Sequence, residues 1–171
     1  LTIMDHASRF LLACQSMGST NFKETQQTFE RVFREYGLPE RIRTDNGIPF
    51  ASTSRAGLSQ LSIWWMRLGI VPERIEPGRP DQNGRHERMH RTLKSTLPHP
   101  SAIAWEAQQR HFDRFLQHYN YERGHEALGQ KTPAACYTPS TRMYPETLPE
   151  MAYASHIESY LADSNGIINR G

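Results

Sequence analysis

Apolar residues recur along this chain with two spacings, and each change of spacing marks an element. Leu1–Met4 and Phe10–Met17 are short apolar runs on either side of His6-Ala7-Ser8-Arg9, a pattern that predicts strand, turn and strand. Asn21 with Glu24 three residues on makes a capping box. Phe22, Phe29, Val32, Phe33 and Tyr36 then share one face of a helix that Gly37 and Pro39 stop. Arg41–Thr44 reads as a short strand that ends at Asp45-Asn46-Gly47. Beyond a polar loop at 52–57, Leu58, Leu61, Trp65 and Leu68 predict a second helix closed by Gly69. Ile70–Ile75 is a further strand, short or at an edge because Pro72 interrupts it.

Helical spacing resumes near Gly84, with Met89, Leu93 and Leu97 four residues apart until Pro98. Ser101 is placed to cap a longer helix carrying Ile103, Trp105, Phe112, Phe115, Leu116 and Tyr119, which ends near Gly124. Trp64 and Trp65 lie inside an apolar helical run and are expected in the core. Strands alternate with helices, so the class is α/β with a mixed sheet. Pro139, Pro145 and Pro149 punctuate an extended stretch, and Ile157–Leu161 with Asn165-Gly166 and Ile167-Ile168 reads as a hairpin. The expected organisation is a core over 1–136, a proline-rich linker over 137–155 and the start of a β segment over 156–171. Both ends read as cut from a longer protein.

Composition narrows the function classes. The 171 residues suit one domain, and 37% hydrophobic with 22% charged residues is ordinary globular usage. No run approaches the ~18 apolar residues of a membrane span. Twenty Lys+Arg against 18 Asp+Glu leave a formal charge of +2, too little to name a partner, so the placement of charge has to carry that argument. Cys14 and Cys136 read as two free thiols of a reducing cytosol.

Two acids stand out by their setting. Asp45 follows a strand, at the rim where sheet enzymes place reactive groups. Glu87 opens a helix among Arg79, Arg85, Arg88, Arg91 and Lys94, and it shares a face with Arg91 and Lys94. Carboxylates hold hard divalent cations, which offset charge on attacking and leaving oxygens, while the bases bind flanking phosphates. The same residues also fit a simple turn and a solvated i,i+4 pair worth a few tenths of a kcal/mol. Pattern alone leaves both readings open.

Arg43-Thr44-Asp45-Asn46-Gly47 with Phe50 and Ser52, then Pro80-Asp81-Gln82-Asn83-Gly84-Arg85-His86-Glu87 and Arg91-Thr92-Leu93-Lys94, resemble the integrase catalytic core. They look closer still to that of bacterial insertion-sequence transposases with an Asp-Asp-Glu triad. Leu1–Cys14 resembles that core's second and third strands. Tyr119-Asn120-Tyr121, His125-Glu126-Ala127-Leu128 and Thr132-Pro133 resemble its C-terminal part.

The resemblance implies a ribonuclease-H-like fold, a mixed sheet flanked by helices. Asp45 and Glu87 would be the second and third metal-binding acids, with Mg²⁺ or Mn²⁺ as cofactor. It implies DNA as partner (transposon ends and target), contacted by Arg79, Arg85, Arg88, Arg91 and Lys94, with Asn46 and Gly47 shaping the loop beside Asp45. A homo-oligomer in a bacterial cytoplasm, with no membrane contact, goes with it. The family's first aspartate lies on a strand upstream of the segment matched by Leu1–Met4, and Asp5 matches a different acid by register. That strand is central, so a chain without it is expected to form two half-sheets with unpaired edges and to exchange strands or rearrange.

Two other readings stay open here. One is a DNA-binding remnant with an incomplete triad. The other is a zinc metalloprotease, because His86-Glu87-Arg88-Met89-His90 also reads as H-E-x-x-H.

Overall fold

The computed structural model describes residues 1–19, 21–45, 47, 49–50, 58–76, 84–96 and 105–150. The hairpin expected at 156–171 and the caps and loop residues Asn46, Arg79 and Ser101 lie outside them. Strand β1 (Thr2–Met4) pairs antiparallel with β2 (Leu11–Cys14), with a bulge between Ile3 and Met4. Their turn is locally stapled: the Asp5 carboxylate accepts from the Ser8 backbone N–H at 2.7 Å and from its hydroxyl at 2.6 Å. Asp5 is thus engaged in shaping the turn.

Helix α1 (Phe22–Tyr36) starts where the capping box predicts. The Asn21 side chain accepts from Glu24 N at 2.9 Å and donates to the Glu24 carboxylate at 2.9 Å. It ends at Gly37, whose φ of 80° suits glycine. A Cβ there would also run into the Ser140 carbonyl oxygen. Strand β3 (Arg41–Thr44), helix α2 (Gln60–Arg67) and strand β4 (Val71–Arg74) follow, and β4 lies parallel to β3 with Arg41 opposite Val71. Pro72 is tolerated because β4 pairs on one side only among the described residues. Helices α3 (Gly84–Thr96) and α4 (Trp105–Gln117) come next, then a π-helical turn at His118–Glu122 and the short helix α5 (Pro133–Cys136).

The one mixed sheet expected from the alternation is split. Among the described residues the strands form two sheets of two, β1-β2 and β3-β4, with no strand hydrogen-bonded between them. The buried residues form two clusters, and β1 borders both, Ile3 packing on the first and Met4 on the second. Phe29 and Phe33 of α1 pack with Leu61, Trp64 and Trp65 of α2 and with Leu68 and Ile70 beside β4. Leu11 and Cys14 of β2 pack with Met89 and Leu93 of α3 and Phe115 and Tyr119 of the α4 region. Both tryptophans are buried, as the apolar run predicts. Burial pushes the Cys14 thiol up to about 12, so it is an inert core group; both cysteines are free.

Residues 137–150 form no helix or strand and lie along the ends of α1 and α2. Ser140 N donates to Tyr36 O at 2.9 Å, and Leu38 N to Arg142 O at 2.7 Å. The Arg142 guanidinium donates to the carbonyls of Pro39, Leu68 and Gly69 at 2.8 to 3.1 Å. It supplies donors to carbonyls that a helix end and a loop leave unpaired.

The π-helical turn has a comparable use. It delivers Asn120, fully buried, to the outer edge of β2. Its amide accepts from Leu11 N at 2.8 Å and donates to Leu11 O at 2.9 Å, imitating a neighbouring strand. Asn120→Ala strands a buried N–H and a buried C=O together, at about 1–3 kcal/mol each. The expected loss is roughly 2–6 kcal/mol in urea denaturation; a midpoint equal to that of the parent chain would mean water replaces the amide without penalty.

Candidate functional site

The two sheets face each other across a groove of about 1440 Å³. β1 lines one wall and β3 the other, α1 closes one side through Phe29 and Phe33, and α3 closes another through Arg85, His86, Glu87 and His90. Asp45 stands where β3 ends. Its Oδ1 accepts from Gly47 N at 3.0 Å, which turns the chain out of the strand. Asp45 and Glu87 are thus lining residues of one groove, although 41 residues (46 to 86) separate them in the chain.

The side chains around them are tightly interlocked. His86 and His90 stand one helical turn apart, ring centroids 4.6 Å from each other, and each Nε2 is 2.7 Å from the Thr2 hydroxyl. Arg85 Nη1 donates to the His6 carbonyl at 2.5 Å and pins the start of α3 to the β1–β2 turn. One of its five donors is therefore spent on structure. Across β3 and β4, Glu73 accepts from Arg41 at 2.9 Å and from Arg43 at 3.0 Å, and the two arginines hold its carboxyl below the usual range. Arg88, Arg91 and Lys94 are exposed on α3 and do not line the groove. The basic helix thus divides: Arg85 turns in, and the other three point to solvent.

Burial, and then the neighbouring His90, push the His86 imidazole down to about 4, while the Asp45 carboxylate pulls it back up. Burial followed by Lys94 lowers His90, again opposed by Asp45. Asp45 is therefore near enough to both rings for its charge to act on them. His6 is lowered by burial, then by Arg85 and Arg43. Neutral imidazoles under a cationic rim are the resting state of this end of the groove.

The donor chemistry available is mixed. Asp45 and Glu87 are hard oxygen donors, which suit Mg²⁺ or Mn²⁺, and Mg²⁺ is commonly held by one or two carboxylates completed by water and substrate phosphate. Among the described residues, no three His, Cys, Asp or Glu side chains form a metal-holding group. The hydrophobic pattern could reveal neither Thr2 as a partner of the histidines nor Glu73 as the clasp of Arg41 and Arg43. Both are contacts across tens of residues, and their only local signal was the four-residue spacing of His86 and His90.

Comparison with known proteins places this architecture. Residues 68–133 match the family model described as the integrase core domain. The chain is 33% identical over 97 residues to the Gag-Pol polyprotein of baboon endogenous virus (strain M7), a match covering 57% of this chain and 5% of that protein. It is 31% identical over 119 residues to a 31.7 kDa protein of insertion element IS407 from Burkholderia multivorans, covering 63% of this chain and 37% of that protein. Among solved structures it superposes on the catalytic core domain of BIV integrase with a TM-score of 0.59 at 22% identity, covering 80% of this chain and 82% of that one. The fold is that of an integrase catalytic core.

A chain of the simian T-cell lymphotropic virus intasome gives a TM-score of 0.61 at 21% identity, covering 99% of this chain and 58% of that one. Viral and insertion-element relatives thus both match at similar identity, and this chain spans only 5% and 37% of the two relatives' lengths. The stretch matched as integrase core holds β4, α3 and α4, and so includes Glu87, Arg85, Arg88, Arg91 and Lys94; Asp45 lies outside it. Among the described residues no helix is long and apolar enough to cross a membrane.

The lowered His86 value sets a pH dependence. The unfolded chain takes up a proton near pH ~6.5, whereas the folded ring resists it. The contribution is complete above that pH and is lost as pH falls toward about 4. Thermal midpoints should drop between these limits, and less steeply in His86→Gln; equal slopes in both proteins would remove His86 from the balance.

Proposed function

We propose that this chain is the core of a DNA transposase or integrase that cuts and joins phosphodiesters with Mg²⁺ or Mn²⁺. The observation that supports it most is the shared groove: the acid ending β3 and the acid opening α3 line one cavity at the edge of an integrase-type fold. Asp45 and Glu87 hold the cation. When bound, the cation offsets negative charge on the attacking and leaving oxygens of an in-line displacement.

The chain's own residues do the rest. Arg88, Arg91 and Lys94 present an exposed basic face to the DNA backbone, giving affinity that falls steeply with salt. Arg79, outside the described residues, would extend that face. Arg85 orients α3 through the His6 carbonyl, so that Glu87 is held at a fixed height beside the groove. Gly47 sets the turn beside Asp45, and Asn46, outside the described residues, would help to shape that loop. A nick by water leaves a 3′-hydroxyl, and attack of that hydroxyl on a second duplex completes transfer. Both steps replace one P–O bond with another. Among the described residues β1 and β3 each pair on one side only, which favours a homo-oligomer over an isolated chain.

One observation favours a second reading, a DNA-binding remnant that does not cut: among the described residues the acids do not assemble into a group of three. The protease reading has no such support, since the same finding leaves His86 and His90 without a third protein ligand of those types among the described residues.

The test is Glu87→Gln in the full-length transposase, assayed for Mn²⁺-dependent nicking and strand transfer on DNA carrying the element's ends. Activity should fall by on the order of 100-fold or more, as expected when a charge-stabilising group is removed, while salt-sensitive DNA binding persists. Undiminished transfer would take Glu87 out of the site. Binding without cleavage in the parent protein would establish the remnant.

A further inference from the structure

His86 and His90 are more than neighbours of the acids. They lie one turn apart on α3, half-buried, and both turn into the groove. Each Nε2 is 2.7 Å from the same Thr2 oxygen, so the two nitrogens are separated by no more than twice that distance. A hydroxyl has one proton to give, so Thr2 donates to one ring and accepts from the other. Two neutral rings of opposite tautomer satisfy all three atoms. The arrangement brings two imidazole nitrogens and a hydroxyl oxygen to one point on the lining of the groove.

We propose that this cluster binds a late first-row divalent cation of the Zn²⁺, Co²⁺ or Ni²⁺ kind, through Nε2 of His86 and of His90, with the Thr2 hydroxyl and water completing the shell. Imidazole selects these ions, whereas carboxylate and water suit Mg²⁺ and Mn²⁺. The ligand chemistry is therefore different from that of Asp45 and Glu87, and the inference does not rest on the function proposed for them. The helix fixes the spacing: residues four apart share one face, so both rings reach the same ion without backbone movement. On binding, the ring that carries its proton on Nε2 shifts it to Nδ1. Both rings stay neutral and no proton is released. Lys94 and the Leu1 ammonium oppose a cation here and Asp45 favours one, since each acts on His90 with the corresponding sign. With no third His, Cys, Asp or Glu among the described residues, the shell stays open to water.

The experiment is titration of Co²⁺ into the whole chain at neutral pH with excess Mg²⁺ present. It is done in a Cys136→Ser background, because that thiol is exposed and would compete. The expected result is a visible spectrum of imidazole-ligated Co²⁺ that saturates at one equivalent, is lost in the double variant His86→Asn/His90→Asn and persists in Glu87→Gln. Two of the eight histidine ring signals in the proton spectrum should broaden ahead of the others. Absence of a saturable spectrum, its survival in the double variant, or its loss in Glu87→Gln would overturn the site. Should the double variant fail to fold, the parent chain decides: broadening spread evenly over the histidines contradicts the proposal.

Discussion

The feature on which the rest depends is the gap between two short sheets. Backbone N–H and C=O groups on a strand edge need partners, and among the described residues β1 and β3, each paired on one side only, both line a common groove. α1 lies against one side of that groove and α3 against another. Phe29, Phe33 and Trp65 belong to one buried cluster, on which Ile42 of β3 and Ile3 of β1 also pack, while Leu11 of β2 is buried with Met89 and Phe115. The two acids proposed to hold a cation both line this groove. Asp45 stands where β3 ends, and Glu87 in the first turn of α3.

Polar side chains substitute for backbone partners wherever strands and helices run out. Asn120 stands in for a strand beside β2, Arg142 serves the carbonyls of Pro39, Leu68 and Gly69, and Asp5 closes the first turn. The same economy governs charge. Arg41 and Arg43 share Glu73, and Arg85 is drawn to the His6 carbonyl. The cations left exposed, Arg88, Arg91 and Lys94, are on the outer side of α3. A helix that looks uniformly basic in sequence thus has an inner end that builds the fold and an outer face of exposed cations.

Local chemistry was legible in the sequence. The Asn21–Glu24 box, the limits of β3 at Arg41 and Thr44, the stop at Gly37 and the burial of Trp64 and Trp65 follow from propensity, capping and period, which act within a few residues. The motifs around Asp45 and Glu87 pointed to the integrase-type fold because their order along the chain is specific, and the expectation of two half-sheets followed from that resemblance. The expectation of a single mixed sheet did not survive, since alternation of strands and helices says nothing about which edges meet. Thr2 with His86 and His90, Asn120 with Leu11, and Arg142 with the ends of α1 and α2 were invisible for a related reason. Each joins residues more than seventy positions apart, and no local pattern announces its partner.

The central claim is that the acids of β3 and α3 act on one ion across the groove. Anomalous diffraction from crystals of the chain grown with Mn²⁺ tests it most directly. The account predicts a manganese peak bridged by the carboxylates of Asp45 and Glu87. A peak bound by neither, or carboxylates turned to opposite sides of the molecule, would contradict it.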